Sequence, residues 1–250
     1  MRYFIELTYD GSAYHGWQRQ PNGVSIQSTL EDALHTLLGQ PVVVVGAGRT
    51  DAGVHARQIF AHIDVNHPLH ENFTYRINQF LPKDIAVRHI HHVNDAAHAR
   101  FDAVARSYEY HLTTTKNPFL VSYAYNFGKN LDMAAMNQAA SLLLNHTDFK
   151  CFSKSKTDVK TYDCDITHAE WTCKGSDWVF SITANRFLRN MVRAIVGTLI
   201  EVGLGKMSLE DFQTVLRSRS RSEAGFSVPA HGLYLMQVVY PNTIFVDHAT

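Results

Sequence analysis

The chain has 250 residues, 45% of them hydrophobic, with 23 Lys plus Arg balanced by 23 Asp plus Glu for a formal net charge of zero. That composition suits one large or two small domains with a real core and excludes disorder, while the absence of any run near ~18 apolar residues excludes a transmembrane helix. A neutral chain is also a poor candidate for nonspecific nucleic-acid binding through overall charge.

Met1 to Glu6 lacks the apolar run of a signal peptide and reads as a strand. Tyr3, Ile5, Leu7 and Tyr9 alternate as a half-buried strand should. Ser25 can cap a helix with apolar positions 26, 30, 33, 34, 37 and 38, and Gly39 can end it. Strands are predicted near 41–46 and 58–66, a short helix near 72–80, and a strand from Ile85 to Val93. The order is β-α-β-β-α-β.

The second half roughly repeats that order. Val104, Arg106, Tyr108, Tyr110 and Leu112 line one face of a strand. Asp132 caps a helix with Met133, Met136, Ala140, Leu143 and Leu144 inward. Strands follow near 164–173 and 177–184, then a long helix over about 187–203. Ser208 and Asp211 form a capping-box-like start to another helix, and an alternating strand closes the chain near 232–240. Two such halves suggest an α+β fold built from a duplicated ferredoxin-like or RRM-like unit. The seam lies near 100–106, giving an N-terminal half 1–103 and a C-terminal half 104–250; the tail after Pro241 should fray.

Cys151, Cys164 and Cys173 form no C-x-x-C pair, and an odd count fits a reducing cytoplasm. Local charge is uneven. Seven basic residues and three acidic ones lie between Arg186 and Arg221, and Lys150, Lys154, Lys156 and Lys160 form a second basic cluster. A neutral protein can therefore still present a positive cleft, although each such lysine alone reads as part of a solvated face.

The densest chemistry is Gly46-Ala47-Gly48-Arg49-Thr50-Asp51-Ala52-Gly53-Val54-His55, following an apolar stretch, Val42 to Val45, that reads as a buried strand. Asp51 two residues after Arg49 looks like a reactive carboxylate beside a cation, although a helix cap or turn is the commonest role for such an Asp. The string is not a dinucleotide fingerprint, since position 51 is Asp rather than Gly, and no Walker-type lysine follows. The clustered histidines His89, His91, His92, His67 and His70 lack supporting Cys or carboxylate spacing for zinc, so no metal site is expected.

Three further strings accompany it. Tyr9 to Gln20 mixes aromatics, glycines and amides in one loop, where Tyr14 and Trp17 can stack on bases and Gln18 and Arg19 can meet phosphates or base edges; the same loop can also pack its own aromatics. Tyr108 shares a strand face with Arg106 and Tyr110, as an acid, base or stacking ring, or as an ordinary strand aromatic. Arg186, Arg189 and Arg193 fall at spacings of three and four, so one helix face should carry all three among apolar neighbours. Such arginines need carboxylate or phosphate partners.

Together the strings resemble the tRNA pseudouridine synthase A family: Y-D-G-x-x-Y-x-G-W-Q-x-Q, G-R-T-D-x-G-V-H-A, L-P-x-D-I-A-V at 81–87, H-A-R-F at 98–101, R-x-Y-x-Y, A-N-x-F-L-R-x-M-V-R-x-I-V-G-T-L and G-L-Y-L at 232–235. The resemblance implies two α/β halves forming a central, mostly antiparallel sheet around a cleft. It implies a cytoplasmic, homodimeric, cofactor-free isomerase that converts uridine to pseudouridine at positions 38 to 40 of the tRNA anticodon arm. By motif, Asp51 would be the nucleophile, Arg193 its ion-pair partner, Tyr108 the ring-stacking tyrosine and Arg49 the side chain holding the target base out of its stack, with His55 in the pocket wall. Two departures stand out. Arg57-Gln58 follows His55-Ala56 directly, one residue shorter than the family's Gly-Gln version, which should alter register or remove a bulge. Phe226 falls in a run that is often smaller and threonine-rich, and could reshape the pocket edge. The competing readings are a non-catalytic tRNA-binding or RNA-folding protein of the same architecture, and a histidine-based metal hydrolase.

Overall fold

The computed structural model describes residues 1–154 and 159–246; Lys156 of the second basic cluster lies outside them. Among the described residues nine strands and five α-helices form two compact units, Met1–Val104 with the C-terminal stretch from Leu235, and Ala105–Tyr234. The C-terminal strand, expected with the second half, thus clusters with the first. Among the described residues no helix is long and apolar enough to cross a membrane.

The first unit runs β1 (Arg2–Tyr9), α1 (Ile26–Leu38), β2 (Val45–Gly46), β3 (His55–Asp64), α2 (Phe73–Phe80) and β4 (Ile85–Val93), the predicted β-α-β-β-α-β order. β1 lies between antiparallel neighbours β4 and β3, and β2 pairs antiparallel with β3. α1 forms where its capping signals put it. The Ser25 side chain accepts the Ser28 N–H in a capping box, and Gly39, left-handed at φ 69°, ends the helix. Loss of such a cap costs about 1 kcal/mol. Ile26, Leu30 and Leu34 bury one α1 face, and Ile5, Leu7 and Ile59 are fully buried in the strands of the same unit. Asn78 of α2 brackets β4 by accepting the Val87 N–H and donating to its carbonyl, both at 2.8 Å.

β1 departs from simple alternation. Phe4 is as buried as Ile5, because its ring packs on Phe60, His62, Tyr240 and Phe245. The stretch 240–246 therefore covers the second face of the sheet. It does not fray: Asn242–Ile244 is a 3-10 turn, and the Val246 N–H reaches the His92 carbonyl at 3.0 Å. Aromatic burial supplies the order that charge and position alone would not.

The second unit runs β5 (Ala105–Thr113), β6 (Tyr125–Asn126), α3 (Met133–Leu142), β7 (Ile166–Lys174), β8 (Asp177–Ala184), α4 (Met191–Gly203) and α5 (Leu209–Ser218). β8 is antiparallel to both β5 and β7, and the short β6 runs parallel to β5. β9 (Leu233–Val239) follows, its residues from 235 belonging to the first unit, where it neighbours β3. Asp132 caps α3 through the Ala135 N–H, and Ser208 with Asp211 closes a capping box on α5. α4 is apolar nearly all round and fully buried along most of its length, as a central helix should be.

Four local predictions need correction. Only Val45–Gly46 of 41–46 pairs as a strand; Val43 is 76% exposed between buried Val42 and Val44. Leu144 points outward, in a 3-10 turn that ends α3 early. Val104 is exposed ahead of β5. The helix expected from 187 begins at Met191, because Asn190 adopts a left-handed φ of 67° that a continuous helix cannot contain.

Candidate functional site

In the first unit Asp51 stands on the turn that follows β2, half-buried. The turn is held on both sides of it. The Asp51 carbonyl accepts the Val54 N–H at 3.1 Å. Buried Thr50 shares a 2.8 Å hydrogen bond between its hydroxyl and the Tyr9 phenol, and its carbonyl accepts the Trp17 N–H. The Gly53 N–H reaches the Tyr14 carbonyl, and the Ala47 N–H the Phe60 carbonyl. Most of these ties come from the 9–17 string, so two motifs some forty residues apart form one interlocked loop pair. Two glycines make that closeness possible. A Cβ on Gly46 would stand 2.4 Å from the Trp17 ring, and one on Gly11 2.0 Å from the Val54 carbonyl oxygen.

Tyr14 and Trp17 are accordingly buried, 7% and 3% exposed. Their rings are part of the loop's packing, not an open stacking platform. The Tyr14 phenol donates to Asp84 Oδ1 at 2.6 Å. Burial, reinforced by that carboxylate, raises its pKa well above the ordinary value. The Asp84 carbonyl also accepts the Asp10 N–H, so the L-P-x-D string buttresses the 9–17 loop. Gln18 and Arg19 are exposed, and Arg19 is engaged by Glu31 and Asp32 at 2.8 and 3.3 Å. Arg49 is exposed beside Asp51. His55 is 2% exposed; its Nδ1 accepts the Gly11 N–H at 3.1 Å and lies 3.1 Å from Asp10 Oδ1. The shortened segment after it retains a bulge: Tyr9 faces Ala56 but Leu7 faces Ile59, and the Thr8 hydroxyl reaches the Ala56 carbonyl.

The H-A-R-F string forms a second pinned turn. Ala99 donates its N–H to Nδ1 of buried His62 at 3.1 Å and accepts the Tyr240 phenol on its carbonyl. His98 and Asp102 close the turn, with the His98 N–H on Asp102 Oδ2 at 2.7 Å. Burial, then the positive Arg2 and His98, lower the His62 pKa to about 4.

In the second unit Tyr108 lies on β5 opposite Ile182, its ring edge-on to Phe187 at 5.1 Å. Arg106 donates to the Asn185 carbonyl at 2.8 Å. Arg186 and Arg189 do not share a helix face with Arg193; they sit on the turn before α4, Arg186 half-buried and Arg189 exposed. Arg193 occupies the third helical position of α4, near the positive end of the helix dipole, where a cation is disfavoured without anionic or carbonyl partners. Its Nε donates to the Val228 carbonyl at 2.8 Å, and the Val228 N–H returns to the Arg193 carbonyl at 3.2 Å. Gly197 lets the 225–226 backbone lie directly on α4, since a Cβ there would be 1.8 Å from the Phe226 carbonyl oxygen.

Neither buried thiol is reactive. Burial pushes Cys151 and Cys164 each up to about 12. Among the described residues no three His, Cys, Asp or Glu side chains are grouped to hold a metal ion. Residue-by-residue reading of the sequence misses Thr50, Asp84, His62 and Val228 as supports; for the first two the available signal is their place within a motif.

The family described as tRNA pseudouridine synthase matches residues 7–102 and 139–241. A Porphyromonas gingivalis protein named tRNA pseudouridine synthase A is 52% identical over 250 residues, covering 98% of this chain and 99% of the relative. The Bacteroides fragilis protein of that name is 53% identical over 98% of each chain. The Bacillus subtilis one is 39% identical over 97% of this chain and all of its own length.

Proposed function

The chain belongs to the tRNA pseudouridine synthase family, and we propose that it forms pseudouridine at positions 38, 39 and 40 of the tRNA anticodon stem-loop with Asp51 as its catalytic nucleophile. The family reaction isomerises uridine. The N1–C1′ bond breaks, the uracil turns, C5 bonds to C1′, and the C5 proton is lost as N1 gains one. Substrate and product have the same composition, so the reaction needs no redox or energy cofactor.

A stacked uridine is out of reach, so the base must leave its stack, at a cost of a few kcal/mol. Tyr108 offers a ring to replace the lost stacking, with Phe187 fixing its plane from the edge. Arg49, exposed two residues before Asp51, helps hold the target base out of its stack. The Asp51 carboxylate attacks the ribose or the uracil ring, or assists departure through a glycal. The C5 proton goes to Asp51 or, through water, to Tyr108. The resemblance assigns Arg193 as the carboxylate's ion-pair partner. In this reading the enzyme works as a cytoplasmic homodimer.

The observation that carries the assignment is the interlocked turn around Asp51. A reactive carboxylate has to be held within a fraction of an ångström of its target, and this turn is tied on both sides of Asp51 by the 9–17 loop. The test is tritium release from tRNA transcripts labelled at uracil C5, comparing wild type with Asp51→Ala and measuring tRNA affinity alongside. Release falls to background in the variant while binding persists. Release by Asp51→Ala would reject the assignment, and no release from either protein with tRNA bound would favour the non-catalytic reading. Transcripts carrying one labelled uridine at 38, 39 or 40 read out the positions.

A further inference from the structure

The basic run Arg217, Arg219 and Arg221 is not absorbed by the proposed chemistry. It is not a phosphate-binding stripe either, because each member is engaged within the chain. Arg217 folds back on Gln213, with Nε on its carbonyl and Nη2 on Oε1, both at 3.2 Å. Arg219 pairs with Asp148 at 2.9 Å. Arg221 is different in kind. Its Nη1 donates to the carbonyls of Ala224 and Gly225 at 3.3 and 2.9 Å, and its Nη2 to the Ser227 hydroxyl at 2.9 Å. The same hydroxyl accepts the Asn190 amide at 2.7 Å. One guanidinium therefore gathers the 224–227 loop and ties it, through Ser227, to Asn190 just ahead of α4.

The loop is seated on α4 at further points. The Gly225 N–H donates to the Thr198 hydroxyl at 2.9 Å, and the Phe226 carbonyl lies over Gly197. The next residue, Val228, is fully buried and exchanges both backbone groups with Arg193. An arginine whose Nε is fixed to a backbone carbonyl has the plane of its guanidinium set, and its four terminal N–H groups are those a carboxylate can engage as a fork. A lysine in place of Arg221 would keep the charge but could not span three acceptors in that plane.

We propose that Arg221, acting through Ser227 and the 224–228 loop, is a positioning residue that sets the guanidinium plane of Arg193. The proposal rests on Arg193 being the partner of the catalytic carboxylate. It makes the loop part of the catalytic apparatus although neither Arg221 nor Ser227 touches the reacting atoms.

The experiment compares wild type, Arg221→Lys, Arg193→Lys, the double variant, Ser227→Ala and Ser227→Thr. It measures the saturating single-turnover rate of tritium release, the tRNA Kd and its salt dependence, and Tm. Arg221→Lys lowers the rate by about 10–100-fold, the scale of a small misplacement at an active site, with Kd and salt slope unchanged. The double variant is no slower than Arg193→Lys alone, since both act on one interaction. Ser227→Ala is slow, and Ser227→Thr, which keeps the hydroxyl, is restored. A wild-type rate in Arg221→Lys overturns the proposal, as do losses that multiply in the double variant. Weaker binding with an unchanged rate in Ser227→Ala and Arg221→Lys would make the loop an RNA contact instead. A wild-type rate in Arg193→Lys overturns the reading of Arg193 itself, an outcome distinct from failure of the clamp. Should Arg221→Lys lose its folded Tm, the Ser227 pair alone decides.

Discussion

Lowering the pH should destabilise this protein through one buried ring, His62. The side chain is 5% exposed and uses Nδ1 to accept the Ala99 N–H. Burial, with the positive Arg2 and His98 nearby and only partial relief from Asp64 and Asp102, lowers its pKa from 6.5 to about 4. The fold therefore binds fewer protons than the unfolded chain between those values, so stability is fully present above pH 6.5 and is lost as pH falls through 4. Two and a half units at 1.36 kcal/mol each set a limit of about 3 kcal/mol, most of it lost by pH 4. The control is His62→Asn, whose amide oxygen can take over the Ala99 N–H but does not titrate. Urea unfolding followed by circular dichroism at pH 7, 6, 5 and 4 compares the two proteins, so that carboxylates common to both cancel. Wild type should lose about 3 kcal/mol more than the variant between pH 7 and 4, roughly a 1 M shift in midpoint for an m-value at the upper end of the usual range. Equal losses in the two proteins would refute the reasoning.

Gly46→Ala places a methyl 2.4 Å from the Trp17 ring; overpacking of this kind costs about 1–3 kcal/mol, and Tm should fall with tritium release falling further, as the Asp51 turn moves with the loop. Gly197→Ala meets a backbone oxygen at 1.8 Å that no rotamer can clear, so its saturating release rate should drop more than its tRNA affinity. Tyr108→Phe should keep near-normal tRNA affinity while Tyr108→Leu loses base stacking worth about 1–3 kcal/mol, read as Kd by filter binding.

Local signals in the sequence specify the parts of the fold that depend on local physics. Ser25, Gly39, Asp132 and the Ser208–Asp211 pair each mark a helix end, because a cap is satisfied by neighbours within four residues. The start of α4 was hidden: Phe187 and Leu188 continue the apolar pattern, and only the left-handed Asn190 reveals the break. The second buried face of β1 was hidden for another reason, since what covers Phe4 lies more than two hundred residues away, at Tyr240 and Phe245. The strings around Asp51, Tyr108 and Arg193 stood out by residue type. That Tyr14 and Trp17 serve packing was offered by the pattern only as one of two readings, because a tyrosine or tryptophan beside glycines looks alike whether it faces a base or a second loop.

The first unit is split in sequence, with residues 235–246 arriving only after all of the second unit. On a ribosome adding about 5–20 residues per second, the roughly 130 intervening residues take on the order of 10 s. During that interval the edge of β3 lacks its β9 neighbour and Phe4 and Phe60 lack Tyr240. The contiguous second unit can complete its own contacts while the nascent first unit still exposes a sticky strand edge and an aromatic face. The emergence of residues 235–246, not that of the N-terminus, thus sets when the Asp51-bearing unit becomes closed to chaperones and to other unfinished chains.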